Sequence, residues 1–480
     1  MKNIVIIYDD SIDASSRVKT IIGEKSFGNI IIKRKTLFDY FEEIVNKSNI
    51  NPEIIRISDL NKLDETELKK LDNKIIFHYF STCPFSDSKE FVLLLKKLKF
   101  IKETIKVEGD SIIGMIFPDV ELYKEFIDNY KFNKNVDEYV NSSPMKIDGS
   151  IDISNYQNLL YFISSGFDAR YFNSLQGDNY IVTKKSNDKK KMKMEYTYYW
   201  LLPEHMKSWM VMPYDYKEEA DYASYTMERL PMTDIAIRWT NGAVDVDEFN
   251  NILDKTFYFI KSRDSKKITK EEYIKVANKL YIDKLDDRVK KLISLPEYTQ
   301  INNFIKNGTR FEDFEDIINL YKKLYNKITK KIEKQKDFKS VIGHGDVFFA
   351  NMLYSKEINL LRLIDPKGAL KEEELWTDPY YDVAKLSHSI CGNYDFFNTG
   401  SYDISITKDM KLMLDVKFNN MQYKLIFKDY LEKNGFDYEL VRLYESSLFL
   451  SMLPLHIDNP HKVLAFILNA INILEELENV

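Results

Sequence analysis

Three oxygen-bearing side chains stand close together late in the chain: Asp346, Asn351 five residues further on, and Asp365. They lie in the stretch VIGHGDVFFANMLYSKEINLLRLIDPKG, residues 341–368. One apolar run delivers His344-Gly345-Asp346, and a second, Leu360 to Ile364, delivers Asp365. Phosphoryl transfer gives a physical reason for this set. One carboxylate orients an attacking hydroxyl and accepts its proton, while a second carboxylate and an amide oxygen hold Mg2+ against the nucleotide phosphates. A strand, a tight loop and a second strand would present all three on one wall.

His344-Gly345-Asp346-Val347-Phe348-Phe349-Ala350-Asn351 and the dipeptide Ile364-Asp365 match an HGDxxxxN motif followed by Ile-Asp. Here the chain resembles the aminoglycoside-phosphotransferase and choline-kinase branch of the protein-kinase-like fold, over residues of about 150 to 480. The resemblance implies that Asp346 is the catalytic base, Asn351 a magnesium ligand and Asp365 the principal magnesium ligand, with ATP or GTP and Mg2+ as cofactors and a small-molecule hydroxyl as acceptor. The Asp-to-Asn spacing is the one that protein kinases use in their catalytic loop. His344 and Gly345 then shape the loop. Asp378-Pro379-Tyr380-Tyr381-Asp382-Val383-Ala384-Lys385-Leu386 resembles the family's DPxxDLA segment, which implies that Asp382 fixes the catalytic loop by hydrogen bonds. The plainer alternative makes Asp346 and Asp365 loop acids and Asn351 a cap, and it leaves the joint spacing unexplained.

Such a site needs a sheet to hold the nucleotide. Tyr180 to Thr183 reads as a strand ending at Lys184, a lysine suited to the α- and β-phosphates, and Lys191 to Leu202 reads as a helix whose Glu195 can hold that lysine. Lys185 competes for the role, because strand register is open in a single sequence. Tyr225-Thr226-Met227-Glu228-Arg229-Leu230-Pro231 resembles the family's hinge, implying that backbone groups near Glu228 and Leu230 bond adenine. No GxGxxG or Walker sequence is present; the available turns are Ser164-Ser165-Gly166 and Gln176-Gly177-Asp178, with Arg170 a further phosphate candidate. Methionines 192, 194, 206, 210, 212, 227 and 232 read as core filler.

At 480 residues the chain exceeds one ordinary hydrophobic core, so it predicts a multidomain α/β and α+β protein. Residues 1–140 alternate short apolar runs with helical stretches, predicting an α/β domain on a parallel sheet, Rossmann-like or nucleotidyltransferase-like. The runs are Ile4 to Ile7, Ile30 to Ile32, Ile54-Ile55, Ile75 to Phe77 and Ile112 to Ile116; the helices are Thr36 to Asn46 and Ser88 to Leu98. The turn-rich stretch Asn133 to Gly149 marks the boundary. A bilobal kinase-like domain follows, with an N-lobe over 150–232 and a mostly helical C-lobe over 233–480. Thr269 with Glu272 and Thr309 with Glu312 read as capping boxes, the second opening an amphipathic helix.

Asp9 to Tyr40 resembles sugar-nucleotide nucleotidyltransferases, in which a strand leads into a Gly-rich loop ending in Arg and then a GKPLI helix start. Here Arg34-Lys35-Thr36-Leu37-Phe38 stands for the last and Ser15-Ser16-Arg17 for the loop's end. The loop Asp9-Asp10-Ser11-Ile12-Asp13-Ala14 contains no glycine, so close backbone approach to a triphosphate is hindered and an altered or non-catalytic domain is expected.

The net charge of −6 shows no basic face for nucleic acid. Two distant cysteines, Cys83 and Cys391, fit a reducing, cytoplasmic setting. No window approaches the ~18 uninterrupted apolar residues of a membrane span. The sequence thus predicts a small-molecule kinase acting on a sugar, amino alcohol or similar metabolite, by analogy in capsular or other cell-surface polysaccharide assembly. The alternatives are a pseudokinase scaffold and a bifunctional kinase-nucleotidyltransferase.

Overall fold

The computed structural model describes residues 2–32, 34–85, 88–133, 136, 143–166, 173–177, 180–333 and 337–479. The chain divides into two compact units, Met1–Phe167 with Asn241–Ala243, and Asp168–Thr240 with Val244–Val480.

The first unit is built on a six-stranded sheet in the order Glu53–Ile57, Asn3–Asp9, Lys74–Phe80, Ile112–Phe117, Ile105–Glu108, Met145–Lys146. Alternating side chains bury both faces. Val5 and Ile7 join Tyr123 and Phe126 on one side, while Ile6 and Tyr8 join Phe41 and Phe91 on the other. The sheet is mixed rather than parallel. Its first three strands run parallel, but Ile112–Phe117 pairs antiparallel with both Lys74–Phe80 and Ile105–Glu108. The short link at Gly109 leaves no room for the crossover helix that a parallel pair requires. Ile31–Ile32 stands apart in a two-stranded ribbon with Lys35–Thr36.

The segment after the turn-rich stretch also belongs here. Met145–Lys146 extends the sheet, and the amides of Ile151 and Ile153 donate to the carbonyls of Pro84 and Thr82. Tyr156–Gly166 then packs on Ser16–Ile22. The boundary at Asn133 to Gly149 and the N-lobe start at residue 150 therefore fall too early: the first unit runs on to residue 167. At the end of the first strand, the Asp9 carboxylate lies 3.2 Å from His78. Asp10 accepts from the Gly28 amide at 2.7 Å and pairs with Arg56 at 2.5 Å. Thr36 opens Leu37–Lys47 through a capping box with Asp39.

The second unit begins with a four-stranded antiparallel sheet in the order Pro213–Glu218, Ala223–Glu228, Ile181–Ser186, Asn173–Gly177. Helix Lys189–Leu201 packs against it, burying Met192 beside Tyr225. The rest is mostly helical around one large core holding Trp239, Phe249, Phe349 and Tyr444. Of the seven methionines read as filler, Met212 is instead exposed. The capping box at Thr269 and Glu272 is present. That at Thr309 and Glu312 is not: Thr309 closes the preceding helix Tyr298–Gly308, and Asp313 caps Phe314–Ile328 by accepting from the Asp316 amide. Asp stands directly before the first buried residue of that helix, and its carboxylate is at least as good a cap as a threonine hydroxyl. No helix among the described residues is long and apolar enough to cross a membrane.

Candidate active site

Strand Phe338–Ile342 runs out at Gly343, and the chain turns sharply through His344 and Gly345. Asp382, at the start of helix Tyr381–Ile390, holds that turn. Its carboxylate accepts from the Gly345 amide at 2.7 Å and from the His344 amide at 3.0 Å. Arg263 donates to the same carboxylate at 2.7 Å and is itself fixed by the carbonyls of Ile260 and Pro379. Gly345 has φ of +81°, and a Cβ there would come within 2.6 Å of the Lys367 side chain. Only glycine fits without displacement. Burial holds the His344 imidazole below its ordinary pKa, the neighbouring acids opposing, and its Nδ1 accepts from the Asp346 amide at 3.3 Å. The turn thus presents Asp346 with its side chain 28% exposed.

Asn351 ends the short helical turn Phe349–Asn351. Its amide nitrogen donates to the Asp346 carbonyl at 3.0 Å and to the Asp346 carboxylate at 3.3 Å. The amide hydrogens face Asp346, so the carbonyl oxygen is the atom left for a cation. The strands that follow pair antiparallel, Met352 opposite Leu363, and the Ile364 amide donates to the Asn351 carbonyl at 3.0 Å. Asn351 and Asp365 therefore occupy adjoining ends of one hairpin. Asp365 has φ of +55°, a left-handed conformation that costs a non-glycine residue roughly 1 kcal/mol and is held by its surroundings.

Lys184 lies within strand Ile181–Ser186. Its ammonium is 2.7 Å from Glu195 and 2.8 Å from Asp365. Glu195 also accepts from the Tyr225 hydroxyl at 3.0 Å. Burial pulls the Lys184 pKa down, but the Asp365 and Glu195 carboxylates together outweigh it and the net direction is up. The lysine stays charged. Strand alternation sends Lys185 to the opposite face, where its ammonium stands 3.4 Å from the centre of the Tyr222 ring. Glu228 ends Ala223–Glu228 opposite Ile181, and the Leu230 carbonyl accepts from Met232 in the turn beyond. A small cavity lined by Glu195, Tyr198, Tyr225, Met227 and Asp365 reaches from the Lys184 cluster to the residue before Glu228. Residues 167–172, with Arg170, and Asp178 lie outside the described residues, as do the side chains of Ser164, Ser165 and Gln176.

Two hard oxygen donors at adjoining strand ends suit Mg2+, which keeps several waters and takes the rest of its shell from phosphates. Among the described residues no group of three or more His, Cys, Asp and Glu side chains forms a closed metal cage.

Sequence reasoning assigned no role to Lys385. Its ammonium is 2.9 Å from the Asp346 carboxylate. The signal was available, since Lys385 follows Asp382 by three residues on a helix and so shares the face that meets the turn at His344 to Asp346. Around Lys385 stands Tyr381, approached by Lys284 and Lys367 as well. Burial pushes that phenol up, but Lys284, Lys385 and Lys367 together bring it down to about 8.

No family model and no curated protein matches the chain. Among solved structures it is similar to aminoglycoside phosphotransferase APH(4)-Ia in a ternary complex with AMP-PNP and hygromycin B, at 10% identity and a TM-score of 0.37, over 64% of this chain and 92% of that one. It is also similar to the Plasmodium vivax ethanolamine kinase Pv091845, at 11% identity and a TM-score of 0.34, over 74% of this chain and 92% of that one. Both are phosphotransferases. At such scores the roles of the site residues stand on their own geometry.

Proposed function

We propose that the second unit is a nucleotide- and Mg2+-dependent small-molecule kinase of bilobal, protein-kinase-like architecture. The observation that carries it is the double pairing of Lys184 with Glu195 and Asp365. A buried lysine held by a helix carboxylate and aimed at a second carboxylate, itself on the hairpin that carries Asn351, is the arrangement that phosphate positioning requires.

Lys184 would bind the nucleotide phosphates, with Glu195 fixing its direction, and backbone groups near Glu228 and Leu230 would take the base of ATP or GTP. Asn351 and Asp365 would hold Mg2+, which neutralises phosphate charge when bound. Asp346 orients the acceptor hydroxyl and takes its proton. A bond forms between that oxygen and the γ-phosphorus, the bond from the γ-phosphorus to the β–γ bridging oxygen breaks, and the nucleoside diphosphate leaves. Asp382 and Arg263 act only through the turn they brace.

The acceptor is a hydroxyl on a sugar, amino alcohol or related metabolite, with cell-surface polysaccharide assembly as the setting and the cytoplasm as the compartment. The first unit is proposed as a non-catalytic relative of nucleotidyltransferases, because Asp9 and Asp10 are engaged by His78 and Arg56. Incubation with ATP or GTP, Mg2+ and a panel of hydroxyl compounds tests this, with diphosphate release as the readout. Diphosphate released only when an acceptor is present supports it. No Mg-nucleotide binding overturns it, and pyrophosphate release from a nucleoside triphosphate overturns the role given to the first unit.

A further inference from the structure

Three lysines from separate parts of the chain gather around Tyr381, and one of them reaches Asp346. Lys284, the first residue of Lys284–Ile293, places its ammonium 3.1 Å from the Tyr381 hydroxyl. Lys367, two residues after Asp365, places its ammonium 5.5 Å from the centre of the Tyr381 ring. Lys385, one turn beyond Tyr381 on the same helix, reaches Asp346 itself. Among the described residues Lys284 and Lys367 have no carboxylate within ion-pair distance. Among the described residues the carboxylate that pairs with this group is Asp346, held by Lys385. Tyr381 is buried and ties the cluster into a single surface.

The balance of charge around the attacking hydroxyl is therefore positive. An ammonium attracts an anion placed beside it and repels a cation in the same place as strongly. Building on the kinase reading above, we propose that the acceptor is an anionic alcohol, whose phosphate or carboxylate is held by Lys284 and Lys367 while its hydroxyl lies at Asp346. Lys184 pairs with Asp365 and Glu195, not with Asp346, and serves the nucleotide, so the two sets of lysines divide the anions between them. Cationic amino alcohols and aminoglycosides are disfavoured at such a site.

The test uses the full chain with Mg-ATP and alcohols sorted by charge: phosphate-bearing, carboxylate-bearing, neutral and cationic. The highest kcat/KM is expected in one of the two anionic classes, and which class it is distinguishes the two sources of charge. Lys284→Met combined with Lys367→Met should raise KM for that acceptor about tenfold or more, as loss of charge-assisted hydrogen bonds does. The KM for ATP should move less than twofold, and Lys284→Arg combined with Lys367→Arg should retain most of the acceptor affinity. A best acceptor that is neutral or cationic, an unchanged acceptor KM in the Met variant, or no turnover of any anionic alcohol by protein that binds Mg-ATP overturns the inference and leaves the kinase reading standing. Failure of the unmodified protein to bind Mg-ATP overturns both.

Discussion

The Lys385 ammonium lies 2.9 Å from the Asp346 carboxylate, so the group assigned to take the acceptor's proton is already paired with a cation from the helix that braces its loop. That helix thus touches the turn at His344 to Asp346 twice, through Asp382 at the backbone and through Lys385 at the side chain. Asp346→Asn keeps the shape and removes the proton acceptor. Its kcat should fall by about 100-fold to 10,000-fold while nucleotide affinity stays within a few-fold, measured by ADP release and nucleotide titration. Unchanged turnover would remove Asp346 from the mechanism.

Asp365→Asn and Asn351→Ala should separate chemistry from folding. Asp365 is 36% exposed and Lys184 keeps Glu195 as a partner when it is replaced, so the melting temperature of Asp365→Asn should move little. Turnover should drop sharply in Asp365→Asn and less so in Asn351→Ala, and the Mg2+ concentration for half-maximal rate should rise in both. A large melting shift with unaltered Mg2+ dependence would assign Asp365 a structural role instead.

Lys184 and Lys185 are neighbours with opposite surroundings. Lys184→Met leaves Glu195 buried with Tyr225 and the more distant Lys191 as partners. Breaking one side of a buried pair costs about 3–5 kcal/mol, so this variant should lose both stability and nucleotide binding. Lys185→Met removes only a contact with Tyr222, worth about 0.5–1 kcal/mol, and should bind nucleotide normally. Denaturant melts and nucleotide titrations on the pair check this; equal damage from both would contradict the strand register.

Asp395 is 2% exposed. Burial pushes its carboxyl up to about 7, with Ser389 opposing. A raised folded-state pKa means that the native chain keeps a proton which the unfolded chain releases near pH 4. The linked stability is fully present below pH 4 and is lost as pH rises through about 7. Asp395→Asn mimics the protonated form, so it should leave the melting temperature nearly unchanged at or below pH 4 and raise it at pH 8. A gain of the same size at both values would exclude titration of Asp395 as the cause.

The spacing of Asp346, Asn351 and Asp365 was legible because a short loop and a hairpin fix those three by local geometry alone. The same holds for helix Lys189–Leu201 and for the capping box at Thr269, where the deciding contacts lie three or four residues apart. Lys184 over Lys185 could be decided only by the partner across the fold, because alternation states that two adjacent residues face apart and not which way. Strand direction in the first unit was likewise out of reach. Ile105–Glu108 carries too little apolar pattern to announce itself, and its return through Gly109 is what turns the sheet antiparallel. The boundary misled because a turn-rich stretch looks alike inside a unit and between units; the hydrogen bonds of Ile151 and Ile153 to Thr82 and Pro84 link residues far apart in sequence. The lysine cluster at Tyr381 is the clearest case: Lys284, Lys367 and Lys385 are scattered among many charged residues, and only the packing of three elements brings their charges to one place.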